Sequence, residues 1–172
     1  MTHSFFRRAA LGAAALLASA AIYAQPPAPA GSPEDIKAIT RVTEEFQAAI
    51  IAKDAKRLSA LVLNPHILFT SPASDEYVRK SRETTDVNDD GMDGAGYRSF
   101  ARLIANTKVP LQEKFYNVKI TQDGHVAWVV FDYEFLRENK VSNYGVESWN
   151  MVKRDGKWKI FSVVWSAHYP PG

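Results

Sequence analysis

The chain has 172 residues, 46% of them hydrophobic, a length and apolar content that suit one domain with a true core. It contains no cysteine, which excludes disulfides, thiol catalysis and zinc–thiolate sites. The net charge of +2 comes from Arg7 and Arg8 alone, since 21 basic residues minus these two leave 19 against 19 acidic ones. A neutral remainder gives no electrostatic case for binding nucleic acid or an anionic membrane surface.

Arg7 and Arg8 precede an Ala- and Leu-rich apolar run from Ala9 to Ile22, and Tyr23-Ala24 places a small residue at a cut site. This pattern predicts a cleaved signal peptide over residues 1–24, export to the periplasm or beyond, and no stable membrane span after cleavage. Gln25 to Gly31 reads as a flexible Pro/Ala linker, leaving residues 32–170 as a single domain. Ser32 is placed to cap a helix, with Pro33 at its first position and Glu34 and Asp35 in its positive first turn. Ile36, Ile39, Val42, Phe46, Ala49 and Ile50 then recur on one helical stripe. Asp54 can cap a second, shorter helix that Asn64-Pro65 ends, and Ile67 to Thr70 reads as a first strand.

Residues Ser71 to Gly96 form a polar, acidic stretch, read either as a lid over a site or as a mobile insertion, with room for a short hairpin around Tyr77-Val78. Inside it, Asp86-Val87-Asn88-Asp89-Asp90-Gly91 matches the opening of a calcium-binding loop, with Asp86, Asn88 and Asp90 at the ligand positions. Tyr97 stands where the closing glutamate belongs, so a solvated acidic loop is preferred and no metal site is assigned. A third helix follows from the spacing of Tyr97, Phe100, Ala101 and Ile104. Four strands come next, over roughly 112–121, 125–136, 142–153 and 158–169, and their short connections predict an antiparallel meander.

Helix, short helix, strand, long loop, helix and four long strands is an order that resembles the nuclear transport factor 2-like superfamily. Its small SnoaL-like and ketosteroid-isomerase-like members are the most similar. The resemblance rests on Phe46, Lys53-Asp54 and Leu58-Ser59-Ala60-Leu61, on Ile67-Leu68-Phe69-Thr70 with Pro72, and on the ending Lys153-Arg154-Asp155-Gly156-Lys157-Trp158-Lys159-Ile160. It implies an α+β, cone-shaped roll: three helices in the N-terminal half packed on a curved, mainly antiparallel sheet. It implies no single activity, because isomerases, dehydratases, cyclases and non-enzymatic binders share this fold. Ketosteroid isomerases carry a phenol where this chain has Phe46 and a base carboxylate where it has Ser71. Neither residue can take that role, so the isomerase mechanism is not expected.

Which residues line a pocket follows from strand alternation. Ala127, Val129, Phe131, Tyr133 and Phe135 share one face of their strand, opposite Trp128, Asp132 and Glu134. Phe46, Phe69, Tyr97, Phe100, Phe131 and Tyr133 are therefore the expected pocket residues, with plain core packing as the competing reading. His168, on a face with Ser162, Val164 and Ser166, Tyr133 and Glu147 are the candidates for acid–base chemistry. For Glu147, a carboxylate on an otherwise apolar face, a salt bridge at the strand end is the preferred explanation. The expected function is binding of a small apolar or aromatic molecule without strong catalysis and with no cofactor. The alternatives are a cofactor-independent SnoaL-like enzyme and a dimeric interaction module without a pocket. A homodimer is expected through an outer sheet face carrying Trp128, Trp149 and Trp165.

Overall fold

A computed structural model describes residues 31–92 and 95–171. The expected signal peptide and nearly all of the linker lie outside these residues. Helix α1 spans Pro33–Ile51, with the Ser32 hydroxyl accepting from the Asp35 amide. Helix α2 (Ala55–Ser59) starts where Asp54 accepts from the Arg57 amide. Strand β1 is only Leu68–Thr70. The expected hairpin at Tyr77-Val78 is instead helix α3 (Asp75–Thr84), capped by Ser74 accepting from the Tyr77 amide and opened by Asp75 and Glu76. That cap with two acids is a helix start, and it overrides the β preference of a lone Tyr-Val pair. Helix α4 (Gly96–Asn106) completes four helices among the described residues, one more than expected.

Strands β2 (Leu111–Gln122), β3 (Val126–Arg137), β4 (Lys140–Arg154) and β5 (Lys157–Trp165) form the antiparallel meander. Two-residue turns at Glu138-Asn139 and Asp155-Gly156 join the later strands, with all four residues at positive φ, as tight hairpins with this twist require. Strand β1 adds in parallel to the far edge, giving the order β1-β5-β4-β3-β2. Register shifts interrupt β2 after Tyr116, β3 after Phe135 and β4 after Asn150. Such bulges bend strands, and here they curve an unclosed sheet around the helices.

The concave side carries the core. Ala127, Val129, Phe131 and Tyr133 are buried while Trp128 is half exposed, as the alternation on β3 requires. On β4, Trp149 and Met151 point inward with Glu147. Trp149 is 1% exposed and touches Phe46, Phe115 and Phe131, with ring centroids 4.8, 5.5 and 5.1 Å away. Trp165 pairs with Glu147 in register and packs on Phe69. The expected outer patch of three tryptophans therefore does not form. Two of them share the parity of the buried β4 positions, and only Trp128 lies on the convex face.

The two ends of the domain are joined by a buried charge. Asp35, 6% exposed, accepts from the Lys153 ammonium at 2.7 Å, the Trp158 indole at 2.8 Å and the Ser32 hydroxyl at 3.1 Å. The Lys153 bond, then the Trp158 bond, holds its carboxyl below the ordinary aspartate value against the opposing effect of burial.

Candidate functional site

Between the concave face of the sheet and helices α1 and α4 lies a cavity of about 170 Å³. Phe46 reaches it from α1, Phe69 from β1, Phe100 and Leu103 from α4, Phe135 from β3 and Trp165 from β5. These rings pack on one another: Phe100 lies 6.1 Å from Phe46 and 5.0 Å from Phe69, and Phe69 lies 4.9 Å from Trp165. The polar lining is supplied by three adjacent strands, with Glu113 on β2, Tyr133 on β3, and Asn143 and Glu147 on β4.

The strand register explains why these groups converge. Glu113 stands opposite Phe135, which stands opposite Asn143, while Tyr133 faces Gly145 and Phe131 faces Glu147. Residues two apart share a face, so Glu113, Tyr133, Asn143 and Glu147 all rise from the concave side. Gly145 opens a passage for the chain end. A Cβ there would lie 2.2 Å from the Ser166 carbonyl oxygen, so only glycine lets the segment after β5 cross so closely. That crossing brings the Ser166 carbonyl within 2.9 Å of the Tyr133 hydroxyl, whose one proton it shares with the Asn143 side-chain oxygen at 2.8 Å.

Both glutamates are buried, Glu113 at 5% exposure and Glu147 at 4%. Burial pushes the Glu147 carboxyl up to about 8, only partly offset by the indole N–H that Trp149 donates to it. Burial, and then the charge of Glu147, lifts Glu113 well above the ordinary glutamate value. Burial and the two carboxylates likewise raise the Tyr133 phenol, so it stays protonated. Neither glutamate belongs to an ion pair among the described residues, so the salt-bridge explanation of Glu147 does not hold. Among the described residues, no lysine, arginine or histidine lines the cavity.

Of the residues singled out in the sequence, the cavity gathers Phe46, Phe69, Phe100, Tyr133 and Glu147. Tyr97 lies elsewhere in the core, its hydroxyl 2.8 Å from that of Ser59 and its ring against Phe69. Phe131 sits beneath the cavity against Phe115 and Trp149. His168 is exposed: it lies past the end of β5, pairs with the Tyr144 backbone and stacks beside that ring, away from the cavity. Asp86 and Asp90 accept from the Asn88 and Met92 amides, so these carboxylates shape their own loop. Sequence reasoning passed over Glu113. It shares the parity of Leu111 and Phe115, the same signal of a carboxylate among inward apolar residues that marked Glu147.

Residues 39–170 match the family model of the SnoaL-like domain. The chain belongs to the SnoaL-like family. No curated protein matches this SnoaL-like chain. Its fold recurs in solved structures of low sequence identity. A candidate dehydratase of the nuclear transport factor 2-like family from Streptomyces avermitilis is 18% identical, with a TM-score of 0.58 over 81% of this chain and 100% of the other. A candidate scytalone dehydratase from Novosphingobium aromaticivorans is 15% identical, with a TM-score of 0.56 over 78% of this chain and 85% of the other. A nuclear transport factor 2-like protein from Cytophaga hutchinsonii is 16% identical, with a TM-score of 0.57 over 80% and 99%. These likenesses confirm the expected SnoaL-like α+β roll and speak for the fold alone.

Proposed function

We propose that this SnoaL-like protein, exported after loss of residues 1–24, binds a small apolar or aromatic molecule in the cavity between the sheet, α1 and α4. The aromatic lining carries this reading. A cavity of about 150 Å³ lined by apolar side chains holds benzene, so one of about 170 Å³ takes a single ring with a short substituent. Its few polar groups, Glu113, Glu147, Tyr133 and Asn143, would fix the orientation of that substituent. Thermal unfolding with a panel of monocyclic aromatics tests it. A ligand at a hundredfold excess over its Kd is expected to stabilise the fold by about 2.7 kcal/mol. A panel that leaves the unfolding temperature unchanged at millimolar concentration removes the proposal.

One observation supports a second reading, an acid–base enzyme without a cofactor. With its carboxyl raised to about 8, Glu147 can give or take a proton near neutrality, and burial also raises the carboxyl of Glu113, which lines the same cavity. The exposed His168 has no part in this version. The protein is then expected to exchange deuterium from heavy water into an enolisable ring ketone such as cyclohexanone, and Glu147→Gln to slow this on the order of a hundredfold. Exchange no faster than in buffer would dispose of it.

A further inference from the structure

We propose that the cavity selects an organic cation, a protonated amine on a ring-sized apolar body, held between the aromatic rings and the Glu113–Glu147 pair. The inference rests on the binding role proposed above and names the chemistry of the ligand.

Two acidic groups face one small apolar space, and no described residue of opposite charge lines it. Helix α1 contributes Phe46 to this space, α4 contributes Phe100 and Leu103, and β1 and β5 contribute Phe69 and Trp165. The one other titratable group facing it, Tyr133 on β3, has its proton engaged by Asn143 and the Ser166 carbonyl. The Glu147 carboxyl is oriented by the Trp149 indole N–H, which occupies one oxygen. The Glu113 residue is only 5% exposed, its side chain lines the cavity, and its carboxyl accepts no hydrogen bond among the described residues, so the oxygens are open to the cavity space rather than sealed in the core. A buried carboxyl without a partner is a cost to the fold unless something else satisfies it.

A cation converts that cost into binding. With one of the two protons given up, the carboxyls carry a single negative charge, which one ammonium group neutralises. The ammonium N–H groups can reach the free Glu113 oxygens as charge-assisted hydrogen bonds. The aromatic rings complement the cation's remaining faces, since ring quadrupoles attract positive charge most strongly where water is excluded. An anion would meet two carboxyls and no donor of positive charge. A neutral ring brings no charge that would favour ionisation of the pair.

The chemistry carries a proton signature. In the free protein burial raises both carboxyls, Glu147 to about 8, and so favours their protonated forms. Seating a cation favours the ionised pair, so about one proton is released per ligand bound. Benzylamine, benzyl alcohol and benzoate have nearly the same shape and span the three charges. Titration calorimetry of the full protein near pH 7, in phosphate and in Tris, reads both affinity and proton release. Benzylamine is expected to bind on the order of tenfold to a hundredfold more tightly than benzyl alcohol, with benzoate weakest. Its apparent enthalpy should differ between the two buffers by close to one proton's worth of buffer ionisation. The Glu113→Gln/Glu147→Gln double variant keeps the shape of both side chains and should lose the preference and the buffer dependence, with its cooperative thermal unfolding showing that the fold is intact. If benzyl alcohol binds as tightly as benzylamine to the unaltered protein, the cation is refuted and the apolar binding role stands. If benzylamine wins but the double variant keeps the preference, the carboxyl pair is not its cause and the assignment fails. If none of the three binds, both this inference and the binding role are overturned.

Discussion

Raising the pH from about 5 to about 8 is expected to cost the folded protein on the order of a few kcal/mol of stability. In the unfolded chain Glu113 and Glu147 ionise at the ordinary glutamate value. In the folded protein Glu147 holds its proton up to about 8, and Glu113 is also raised well above the ordinary value, in both cases chiefly because burial penalises the charge. Unfolding therefore releases protons throughout that interval, and every proton released makes unfolding easier as the pH rises. The stabilising contribution is complete below the unfolded value, declines through the interval and is gone above the folded value. Asp35 runs the other way. Its depressed carboxyl stabilises the fold above the unfolded value and loses that effect as the pH falls through the folded one. Stability should thus peak in mildly acidic solution, with Asp35 shaping the acid side and the glutamate pair the alkaline side. Urea unfolding across this range gives the curve, and Glu147→Gln, uncharged and of the same shape, should flatten the alkaline decline. A wild-type curve level between pH 5 and 8, or a decline of equal slope in the variant, would contradict the buried state of the pair.

The second large effect is expected at Asp35→Ala, on the order of 2–4 kcal/mol. Alanine removes three hydrogen bonds at once, from Lys153, Trp158 and Ser32. The freed Lys153 ammonium can turn to solvent, since its side chain is already 34% exposed. The Trp158 indole N–H cannot, because that residue is 4% exposed, and an unpaired buried donor keeps the full desolvation penalty. Asp35→Asn retains an acceptor for the indole and should cost less, about half as much. Chemical denaturation compares these with Glu34→Ala, an exposed acid in the same first turn. Equal losses at the two positions would show that Asp35 acts as an ordinary helix-start acid and not as a clamp.

Most of the fold was legible because it rests on short-range signals. Ser32 before Pro33, Asp54 before the short helix, and Asp155-Gly156 between two strands each specify local geometry whatever surrounds them. Strand parity then sorted β3 into a buried and an exposed face. The site was only half legible, since a cavity depends on which strands lie side by side. Glu147 stood out within its own strand, but its companion Glu113 lies on a strand that never touches β4. Only the interposed β3 brings the two to one space. Trp149 and Trp165 were misplaced for the same reason. Each strand has two apolar faces, and deciding between them needs the neighbouring strand's register. His168 fell outside because β5 stops at Trp165 and the chain beyond it crosses Gly145.

The parallel pairing of β1 with β5 sets an order of events as well as an arrangement. Leu68 to Thr70 find their strand partners only in Ser162 to Val164, more than ninety residues later. Trp158, on the same last strand, is the buried partner of Asp35 at the start of α1. Hydrophobic contacts among the helices and the β2–β4 meander can form early, yet the sheet has no completed edge and Asp35 at the start of the first helix lacks its buried Trp158 partner until β5 is in place. Folding of this kind must meet the entropy of closing nearly the whole chain before its rewards arrive. On a ribosome, where the last residues appear last, an incomplete chain would carry its aromatic rings without a finished wall around them. The cavity is in this sense the final product of folding, assembled when the C-terminal strand lays Trp165 across Phe69.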